Sequence, residues 1–373
     1  MERPTIAKID LDNLGFNFRS IRAFLGDGPR FMAVVKADAY GHGAVECARR
    51  LATEGADWLG VALLEEAVEI RGSGVETPIL SFGGVWPDTA DVFLNQRITP
   101  TVFDIEHARA IDRAAAARGD TVRIHVKIDT GMGRVGIPAA DAAEFAGRLA
   151  ELRSIEVEGL MGQFASADDP EQKEFTFTQI GLLHQASMAF RSKGLLPKLL
   201  HTANSAGAVV YGDSRVDMVR IGGLLYGVGS DIIPAGAAMP EVRPVMSITT
   251  RIAQLKQVPA GSTIGYGRSF VAERDSVIGT IAIGYHDGYR RCFSNRARVL
   301  VNEVFAPVVG RISMDWTTID LTDVTGAEVG SEVVVLGHQG GSAVSAEDLG
   351  ALAETISYEI TCGIGKRVLR RYS

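Results

Sequence analysis

The chain has 373 residues, which favours two domains at roughly 100–200 residues per domain. Apolar residues make up 46% and charged residues 22%, so disorder, collagen and coiled coil are excluded as descriptions of the whole chain. The net charge of −7 argues against an extended surface for binding nucleic acid or anionic membrane.

The spacing of the cysteines and histidines bears on whether the protein forms disulfides or binds a metal ion. Cys47, Cys292 and Cys362 are far apart and form no C-x-x-C pair, so we expect neither a disulfide framework nor a zinc site. The seven histidines form no tight cluster, and we expect no catalytic metal. Without a secretory signal or an apolar span of about 18 residues, the sequence predicts a cytoplasmic protein.

Eight strand-like runs recur between Phe31 and about Gly222, and most are separated by Ala-, Glu- and Arg-rich segments with helical spacing. The runs are FMAVVKA, WLGVA, PILSF, ITPTVF, TVRIHVKID, VEGLMGQFA, KLLHTANS and DMVRIGG. Eight alternating strands and helices predict an α/β fold of the TIM type, a closed (β/α)₈ barrel. A doubly wound open sheet is the main alternative.

The pattern changes after about residue 236. Segments such as MSITTRIAQLKQV, VIGTIAIGY and SEVVVLG are β-branched and alternating, which predicts a mostly β C-terminal domain. Pro234, Pro240 and Pro244 mark the change, so we place the domains at residues 1–236 and 237–373. Ser345 begins S-A-E-D, which is typical of a helix start.

Two lysines stand at ends of predicted barrel strands, where side chains are free to do chemistry. Lys36 follows four apolar residues in AVVKADAYGHG, and a buried ammonium is costly unless it is paired or neutral. It is therefore a candidate for a Schiff base with a carbonyl cofactor, and a surface lysine is the alternative. Lys127 holds a similar place beside Asp129, where a simple ion pair is the alternative.

The loops after the seventh and eighth strands read HTANSAG and VRIGG. A hydroxyl and free backbone N–H groups at a helix start suit a phosphate monoester, although Asn204 and Ser205 could also simply cap the next helix. A lysine at one rim and a phosphate cradle at the other point to pyridoxal 5′-phosphate. The candidate cofactor-site residues in these loops are His201, Asn204, Ser205, Arg220, Ile221 and Gly222.

A competing motif lies in the fifth unit. Gly131-x-Gly133-x-x-Gly136 matches a dinucleotide fingerprint, with Glu156 or Glu158 about 20 residues further on. It would make the protein an NAD-dependent oxidoreductase. The residues inside the motif form a poor first helical turn, so we give this alternative less weight.

The motifs AVVKADAYGHG, KIDTGMGRVG, HTANSAG, RIGGLLYG, GYGRSF, IGYHDGY, VGRISMD and ISYEI, in this order, resemble the alanine racemase family. The resemblance runs over essentially the whole chain. It implies a pyridoxal-phosphate barrel followed by a β domain, and a head-to-tail homodimer with shared active sites that interconverts L- and D-alanine for cell-wall precursors. It also implies a place in the C-terminal domain for the strand near residues 6–10.

The resemblance implies roles for three residues in the reaction. Lys36 resembles the lysine that forms the internal aldimine and serves as one base, and Tyr266 resembles the opposite base, which comes from the other subunit. Racemisation needs such a pair because a proton leaves one face of Cα and returns to the other. Arg220 resembles the arginine at the pyridine nitrogen, which leaves that nitrogen unprotonated and limits side reactions.

The resemblance also implies supporting roles. Arg134 and the partner's Met314 would contact the substrate carboxylate, and Arg134 also the cofactor ring oxygen. Tyr285 would gate the entrance, where Asp315 orders the chain. Lys127 looks like a lysine that is carbamylated in many members, and His201 like a partner of Arg220. The implied phosphate ligands are Tyr40, Ser205, Gly222 and Tyr358.

Three residues depart from the family pattern, namely Gln163, His286 and Trp316. The family usually has histidine where Gln163 stands, and a charged histidine would favour the phenolate of Tyr266. These departures affect rate and substrate range more than reaction type. A racemase of broader range, acting on serine or lysine, is the alternative within this fold.

Overall fold

The computed structural model describes residues 3–373, which form two nine-stranded sheets and one short two-stranded sheet. In chain order the N-terminal part contains β1 (Ile6–Ile9), α1 (Leu11–Leu25), β2 (Arg30–Val34), α2 (Lys36–Gly41), α3 (Ala44–Thr53), β3 (Trp58–Val61), α4 (Leu64–Gly72), β4 (Ile79–Ser81), α5 (Ala90–Asn95), β5 (Thr99–Val102), α6 (Ile105–Ala116), β6 (Val122–Asp129), β7 (Ile137–Pro138), α7 (Ala142–Leu149), β8 (Ile155–Met161), α8 (Lys173–Ser192), β9 (Leu199–His201), α9 (Ser205–Val210) and β10 (Met218–Ile221).

The C-terminal part is richer in strands. It contains β11 (Met246–Val258), β12 (Thr263–Ile264), β13 (Phe270–Val271), β14 (Ser276–Ile281), β15 (Arg298–Val301), β16 (Val304–Pro307), β17 (Thr317–Asp320), β18 (Glu332–Gln339), β19 (Ser342–Val344), α10 (Ala346–Leu352), α11 (Ser357–Cys362) and β20 (Leu369–Tyr372).

The first large sheet is a nearly closed barrel of eight parallel strands, in the order β10-β2-β3-β4-β5-β6-β8-β9. Helices cover its outside, which explains why strands such as WLGV are apolar throughout and buried throughout. Between β9 and β10, the Arg220 N–H donates to the Ala203 carbonyl at 3.0 Å across the remaining gap. The predicted barrel is confirmed, and the open-sheet alternative is wrong.

The second large sheet has the order β16-β15-β18-β11-β1-β20, with β14 paired to β11 and β17. The first strand of the chain therefore lies in the sheet of the C-terminal part. Ile6 in β1 stands opposite Thr249 of the antiparallel β11 and beside Leu369 of the parallel β20. β1 and β20 are thus held in one sheet, and the barrel begins only at β2.

Short 3₁₀ turns follow β10, and residues 233–245 contain no helix or strand before β11 begins. Pro234, Pro240 and Pro244 lie in this connection. The predicted helix start at Ser345 is confirmed, because Ser345 Oγ accepts from the Asp348 N–H and an Asp348 carboxylate oxygen accepts from the Ser345 N–H, both at 3.0 Å.

The glycine-rich motif at residues 131–136 forms a loop instead of a helix start. Its Gly131 and Gly133 N–H groups donate to the Asp129 carboxylate, and α7 begins only at Ala142. The dinucleotide alternative is wrong, because no helix N-terminus opens inside the motif to receive a pyrophosphate. No helix in residues 3–373 has the length and hydropathy to cross a membrane.

Candidate active site

A cavity of about 450 Å³ opens at the C-terminal ends of the barrel strands. This is the end of such barrels at which loops gather side chains from several strands. Apolar residues such as Val34, Phe82 and Met161 form part of its wall. The predicted site residues that line it are Lys36, Tyr40, Arg134, Gln163, Ser205, Arg220, Gly222 and Tyr358.

Lys36 enters the cavity just after β2, as the first residue of α2, and is half-buried. Burial lowers the pKa of its ammonium, and the positive charges of Arg134 and Arg220 lower it further. A lower pKa increases the fraction of neutral amine at a given pH. Lys36 therefore lines the cavity as a half-buried lysine of lowered pKa, which is not the surface lysine of the alternative interpretation, and such an amine can act as a nucleophile.

The backbone that follows Lys36 is left-handed. Residues Ala37–Tyr40 have φ between 53° and 55°, a conformation that costs L-residues roughly 1–2 kcal/mol each. Two side chains hold this turn. Glu66 accepts from the Ala37 N–H at 2.6 Å, and His42 Nδ1 lies 3.0 Å from the Ala39 carbonyl oxygen and 3.1 Å from that of Tyr40.

Glu66 joins this turn to the next βα loop, and sequence reasoning missed it. One carboxylate oxygen accepts from Ala37, and the other accepts from the Ala62 and Leu63 N–H groups at 2.8 and 3.0 Å. In the sequence LLEEAVEI the residue reads as part of a solvated helix face. The available signal was its place in the first turn of α4, where a carboxylate can reach back to free N–H groups.

The α9 end of the cavity is built from a helix start and two glycines. α9 begins at Ser205, and its N-cap Asn204 accepts from the Gly207 N–H at 2.9 Å. Ser205 Oγ accepts from the Gly222 N–H at 3.0 Å. A Cβ on Gly222 would collide with the Tyr40 hydroxyl, so only glycine fits there.

Tyr40 and Tyr358 complete this end, with ring centroids 5.3 Å apart and an edge-on arrangement. A Cβ on Gly223 would collide with the Tyr358 ring. Burial raises the pKa of both hydroxyls, so they remain protonated donors at neutral pH. Hydroxyl donors and a helix start together fit a phosphate monoester.

Arg220 is 4% exposed and its terminal nitrogens are engaged by protein acceptors. Nη1 donates to His201 Nδ1 at 3.0 Å and to the His201 carbonyl at 2.9 Å. Nη2 faces three acceptors, namely Gln163 Oε1 at 2.9 Å and the Gly162 and Thr202 carbonyls at 3.0 Å. No described residue accepts from Nε, so this N–H remains for an acceptor in the cavity, such as a pyridine nitrogen.

Two residues predicted to bind the cofactor, His201 and Ile221, do not line the cavity. Both are fully buried in the barrel. His201 reaches the cavity only through Arg220, as the resemblance implied. The side chain of Ile221 packs in the hydrophobic core. Its neighbours in sequence, Arg220 and Gly222, both line the cavity, so Ile221 adjoins the cavity only through its backbone.

Lys127 is 4% exposed, and its Nζ has no hydrogen-bond partner among the described residues. Burial and the charges of Arg220 and Arg134 lower the pKa of its ammonium well below the ordinary value. The ion-pair interpretation is wrong, because Asp129 turns to the N–H groups of the following loop and no described acid pairs with Lys127. A bare ammonium is poorly accommodated in this position.

Four predicted residues lie on the β part of the chain and not at the barrel mouth. Tyr266, Met314 and Tyr285 are 69%, 51% and 42% exposed. Tyr266 lines a separate cavity of about 340 Å³ with Trp316. Asp315 accepts from Arg367 at 2.7 Å. Within one chain, therefore, the structure does not bring these residues to Lys36.

Family profiles match both parts of the chain. The profile described as "Alanine racemase, N-terminal domain" matches residues 9–230, and that described as "Alanine racemase, C-terminal domain" matches residues 245–372. An alanine racemase of Halothermothrix orenii is 41% identical over 372 residues, covering 99% of this chain and 97% of the relative. One of Geobacter sulfurreducens is also 41% identical, over 375 residues, with the same coverage of both chains.

Solved structures give the same result. Alanine racemase of Clostridium difficile 630 has a TM-score of 0.92 at 35% identity, covering 100% of this chain and 96% of the other. That of Bacillus anthracis, solved with bound L-Ala-P, has a TM-score of 0.91 at 32% identity, with the same coverage. Since the profiles span both parts of the chain and the relatives match its full length, this chain belongs to the alanine racemase family.

Proposed function

We propose that the protein interconverts L-alanine and D-alanine with pyridoxal 5′-phosphate bound in the barrel-mouth cavity. One observation carries the proposal. A single cavity holds a lysine of lowered pKa and, beside the start of α9, a cradle of serine, glycines and tyrosines. A cofactor with an aldehyde and a phosphate monoester matches these two features. The name alanine racemase on full-length relatives supplies the reaction and the substrate.

The residues present fit this cofactor. Lys36 Nζ would hold its carbonyl carbon, and Ser205, the Gly222 backbone and the hydroxyls of Tyr40 and Tyr358 would hold its phosphate. When bound, pyridoxal phosphate withdraws electrons from the α-carbon of an attached amino acid and so makes its α-proton labile.

Arg220 would face the pyridine nitrogen with its one uncommitted N–H. An arginine side chain keeps its proton at neutral pH, so it donates a hydrogen bond and leaves that nitrogen unprotonated. The four hydrogens on its terminal nitrogens are engaged by Gln163, His201 and backbone carbonyls, which hold the guanidinium in one orientation. This arrangement limits electron withdrawal and favours racemisation over transamination.

Two bases on opposite faces are needed to move the α-proton from one side to the other. Lys36 is the base on one face. We assign Tyr266 of a second copy to the other face, because Tyr266 of the same chain lines a different cavity and is mostly exposed. The protein then acts as a homodimer with shared sites, in which Arg134 and the second copy's Met314 contact the substrate carboxylate.

Alanine is the substrate we propose, and no described residue of the cavity favours the broader serine or lysine racemase. D-Alanine made in the cytoplasm would feed cell-wall precursors. The domain division proposed from the sequence, 1–236 and 237–373, puts Lys36 and Arg220 on one part, and Tyr358 and the second base, Tyr266, on the other.

The test is the absorption spectrum of the purified protein together with an alanine racemisation assay. We expect a yellow protein that converts L-alanine to D-alanine, and whose colour is lost on borohydride treatment with the cofactor fixed to the Lys36 peptide. A colourless protein that binds NADH, or a yellow one with the label on another lysine, would contradict the proposal.

A further inference from the structure

A line of buried polar side chains runs through the barrel interior from Glu158 to Arg220. His125 Nε2 lies 3.7 Å from Glu158 Oε2, the separation of an ion pair and longer than a hydrogen bond. His125 Nδ1 lies 2.8 Å from His201 Nε2, and His201 Nδ1 lies 3.0 Å from Arg220 Nη1. Both histidines are fully buried, and Glu158 and Arg220 are nearly so.

The donors and acceptors in this line can be assigned from its two ends. Arg220 only donates, so His201 Nδ1 accepts and a neutral His201 carries its proton on Nε2. That proton goes to His125 Nδ1, which leaves the His125 proton on Nε2, facing the Glu158 carboxylate. Burial lowers the pKa of both imidazoles, which keeps them neutral. Both hydrogen bonds of the line then donate in the direction of Glu158, and the His125 Nε2 hydrogen faces its carboxylate across 3.7 Å.

The backbone is shaped to build this line. The pairing of β6 with β8 shifts register between Ile124 and His125, so that Ile124 faces Val157 and His125 faces Gly159. Glu158 is the extra residue, a bulge of the kind that re-aims a side chain. A Cβ on Gly159 would lie only 2.7 Å from the His125 ring, so glycine makes room for that ring.

We infer that Glu158 and His125 are positioning residues for Arg220. They favour the same tautomer of His201 that Arg220 requires, in which Nδ1 accepts from the guanidinium, and they place a carboxylate behind the charge of Arg220. The consequence for the reaction rests on the proposed function. With the carboxylate present, Arg220 is a weaker donor to the pyridine nitrogen, and electron withdrawal by the cofactor stays limited.

Other charges near the line do not replace Glu158. Arg123 Nη1 is also 3.7 Å from Glu158, but its side chain is 62% exposed and is shared with Glu156. The charges of Lys127 and Arg220 act on His201, and both are cationic. Glu158 is therefore the anion that faces the two buried imidazoles.

The first measurement uses protein without cofactor and ¹⁵N-labelled histidine. The imidazole nitrogen shifts of His125 and His201 report the tautomer of each ring. In the wild type we expect both rings protonated on Nε2 at neutral pH. Glu158→Leu removes the carboxylate that His125 Nε2 faces and should move the His125 and His201 shifts toward mixed tautomers, whereas Glu158→Gln keeps a polar oxygen at this position and should retain the wild-type shifts.

Glu156→Gln is the matched control, because Glu156 lies on the same strand but pairs with Lys198 at 2.8 Å on the surface. It should leave both imidazoles unchanged. Nitrogen shifts in folded Glu158→Leu that equal those of the wild type would overturn the inference, since Arg220 alone would then fix the rings. So would a His125 ring protonated on Nδ1 in the wild type.

The second measurement uses protein loaded with pyridoxal phosphate. Glu158→Gln lacks the charge, so pyruvate released per alanine racemised should rise several-fold, and Glu156→Gln should match the wild type. An unchanged ratio would overturn the electronic part of the inference. If the protein bound no pyridoxal phosphate, the proposed function would fail, while the tautomer result would stand by itself.

Discussion

Lys36 and Tyr266 line different cavities of the same chain. Lys36 stands half-buried at the barrel mouth, whereas Tyr266 is 69% exposed beside Trp316 on the β part. Racemisation needs a base on each face of one α-carbon. A single chain with this arrangement has one base at its cavity, so the proposed reaction needs the second base from another copy.

Complementation between two inactive variants tests this sharing. Lys36→Ala should lose the covalently held cofactor, and Tyr266→Phe should remain yellow but lose racemisation. Subunits exchanged between them should form heterodimers with one intact site, since one copy contributes Lys36 and the other Tyr266. Alanine racemisation by the mixture is the measurement.

Exchange itself is checked with mass-tagged subunits. Mixing two preparations of Tyr266→Phe is the control and should recover nothing. Demonstrated exchange without recovered activity would count against a shared site, and wild-type racemisation by Tyr266→Phe would count against the two-base assignment.

The pH at which Lys36 takes up pyridoxal phosphate should lie below the ordinary lysine pKa of about 10.4. Burial and two arginines lower its pKa, so the neutral amine forms at lower pH. Arg134→Met removes one of these charges and should move the midpoint of uptake upward by up to about one pH unit. The measurement is the amount of borohydride-fixed label on the Lys36 peptide across a pH series. A midpoint of uptake that moves to lower pH in Arg134→Met would contradict this prediction.

Glu66 should be needed for the left-handed turn that follows Lys36. Its two oxygens serve three N–H groups, and glutamine offers only one acceptor oxygen. Glu66→Gln should therefore lose about 1–3 kcal/mol of unfolding free energy and bind pyridoxal phosphate more weakly. Denaturant titration checks the first effect, with the exposed neighbour Glu65→Gln as the control that should differ little from the wild type.

The barrel and candidate residues of its cavity could be predicted because most of its strands are short, mainly apolar runs with polar side chains near their C-terminal ends. Lys36 and Ser205 follow such runs, Arg220 lies near the end of one, and the family motifs added the rest. The side chains that support them could not be read in this way. Glu66 acts through backbone N–H groups that become free only once the left-handed turn exists.

Glu158 illustrates the same limit. Strand alternation in IEVEGL would place the Glu158 side chain on one face of the sheet, but a bulge that the sequence pattern does not indicate changes its direction. The place of β1 in the second sheet was likewise invisible to periodicity, because a four-residue strand says nothing about its partners. Long-range register and backbone irregularity are tertiary properties.

Lys127 should destabilise the protein when its amine is unmodified. Its pKa is lowered in the folded state, so between the folded and unfolded pKa values the unfolded chain binds more protons and stability rises with pH. Lys127→Met should therefore gain about 1–4 kcal/mol near pH 7 in buffer free of carbon dioxide. The gain should shrink as the pH approaches about 10.4.

Bicarbonate separates a bare lysine from a carbamylated one. Addition of carbon dioxide to the Lys127 amine, with loss of a proton, would give an anion near Arg134 and Arg220, which are the charges that now disfavour the ammonium. Bicarbonate should then stabilise the wild type and not Lys127→Met, and ¹³C-bicarbonate should give a carbamate resonance. Equal stabilisation of both proteins would speak against the modification.

Gln163 is the last residue to test, because here a contact in the structure argues against the expectation drawn from the sequence. A histidine in its place was expected to carry charge and favour the phenolate of Tyr266. Gln163 Oε1, however, accepts from Arg220 Nη2 at 2.9 Å. An imidazole can take that role only through an unprotonated nitrogen, and the neighbouring guanidinium disfavours a second positive charge.

We therefore expect Gln163→His to leave the basic limb of the pH–rate profile where it is in the wild type. Gln163→Leu is the companion variant. Arg220 Nη2 has two hydrogens and three acceptors, so losing the glutamine oxygen still leaves the Gly162 and Thr202 carbonyls. The unfolding free energy should change by less than about 1 kcal/mol. A basic limb that moves to lower pH in Gln163→His, with activity raised near neutrality, would show that a charged histidine is accommodated beside Arg220 and would restore the expectation from the sequence.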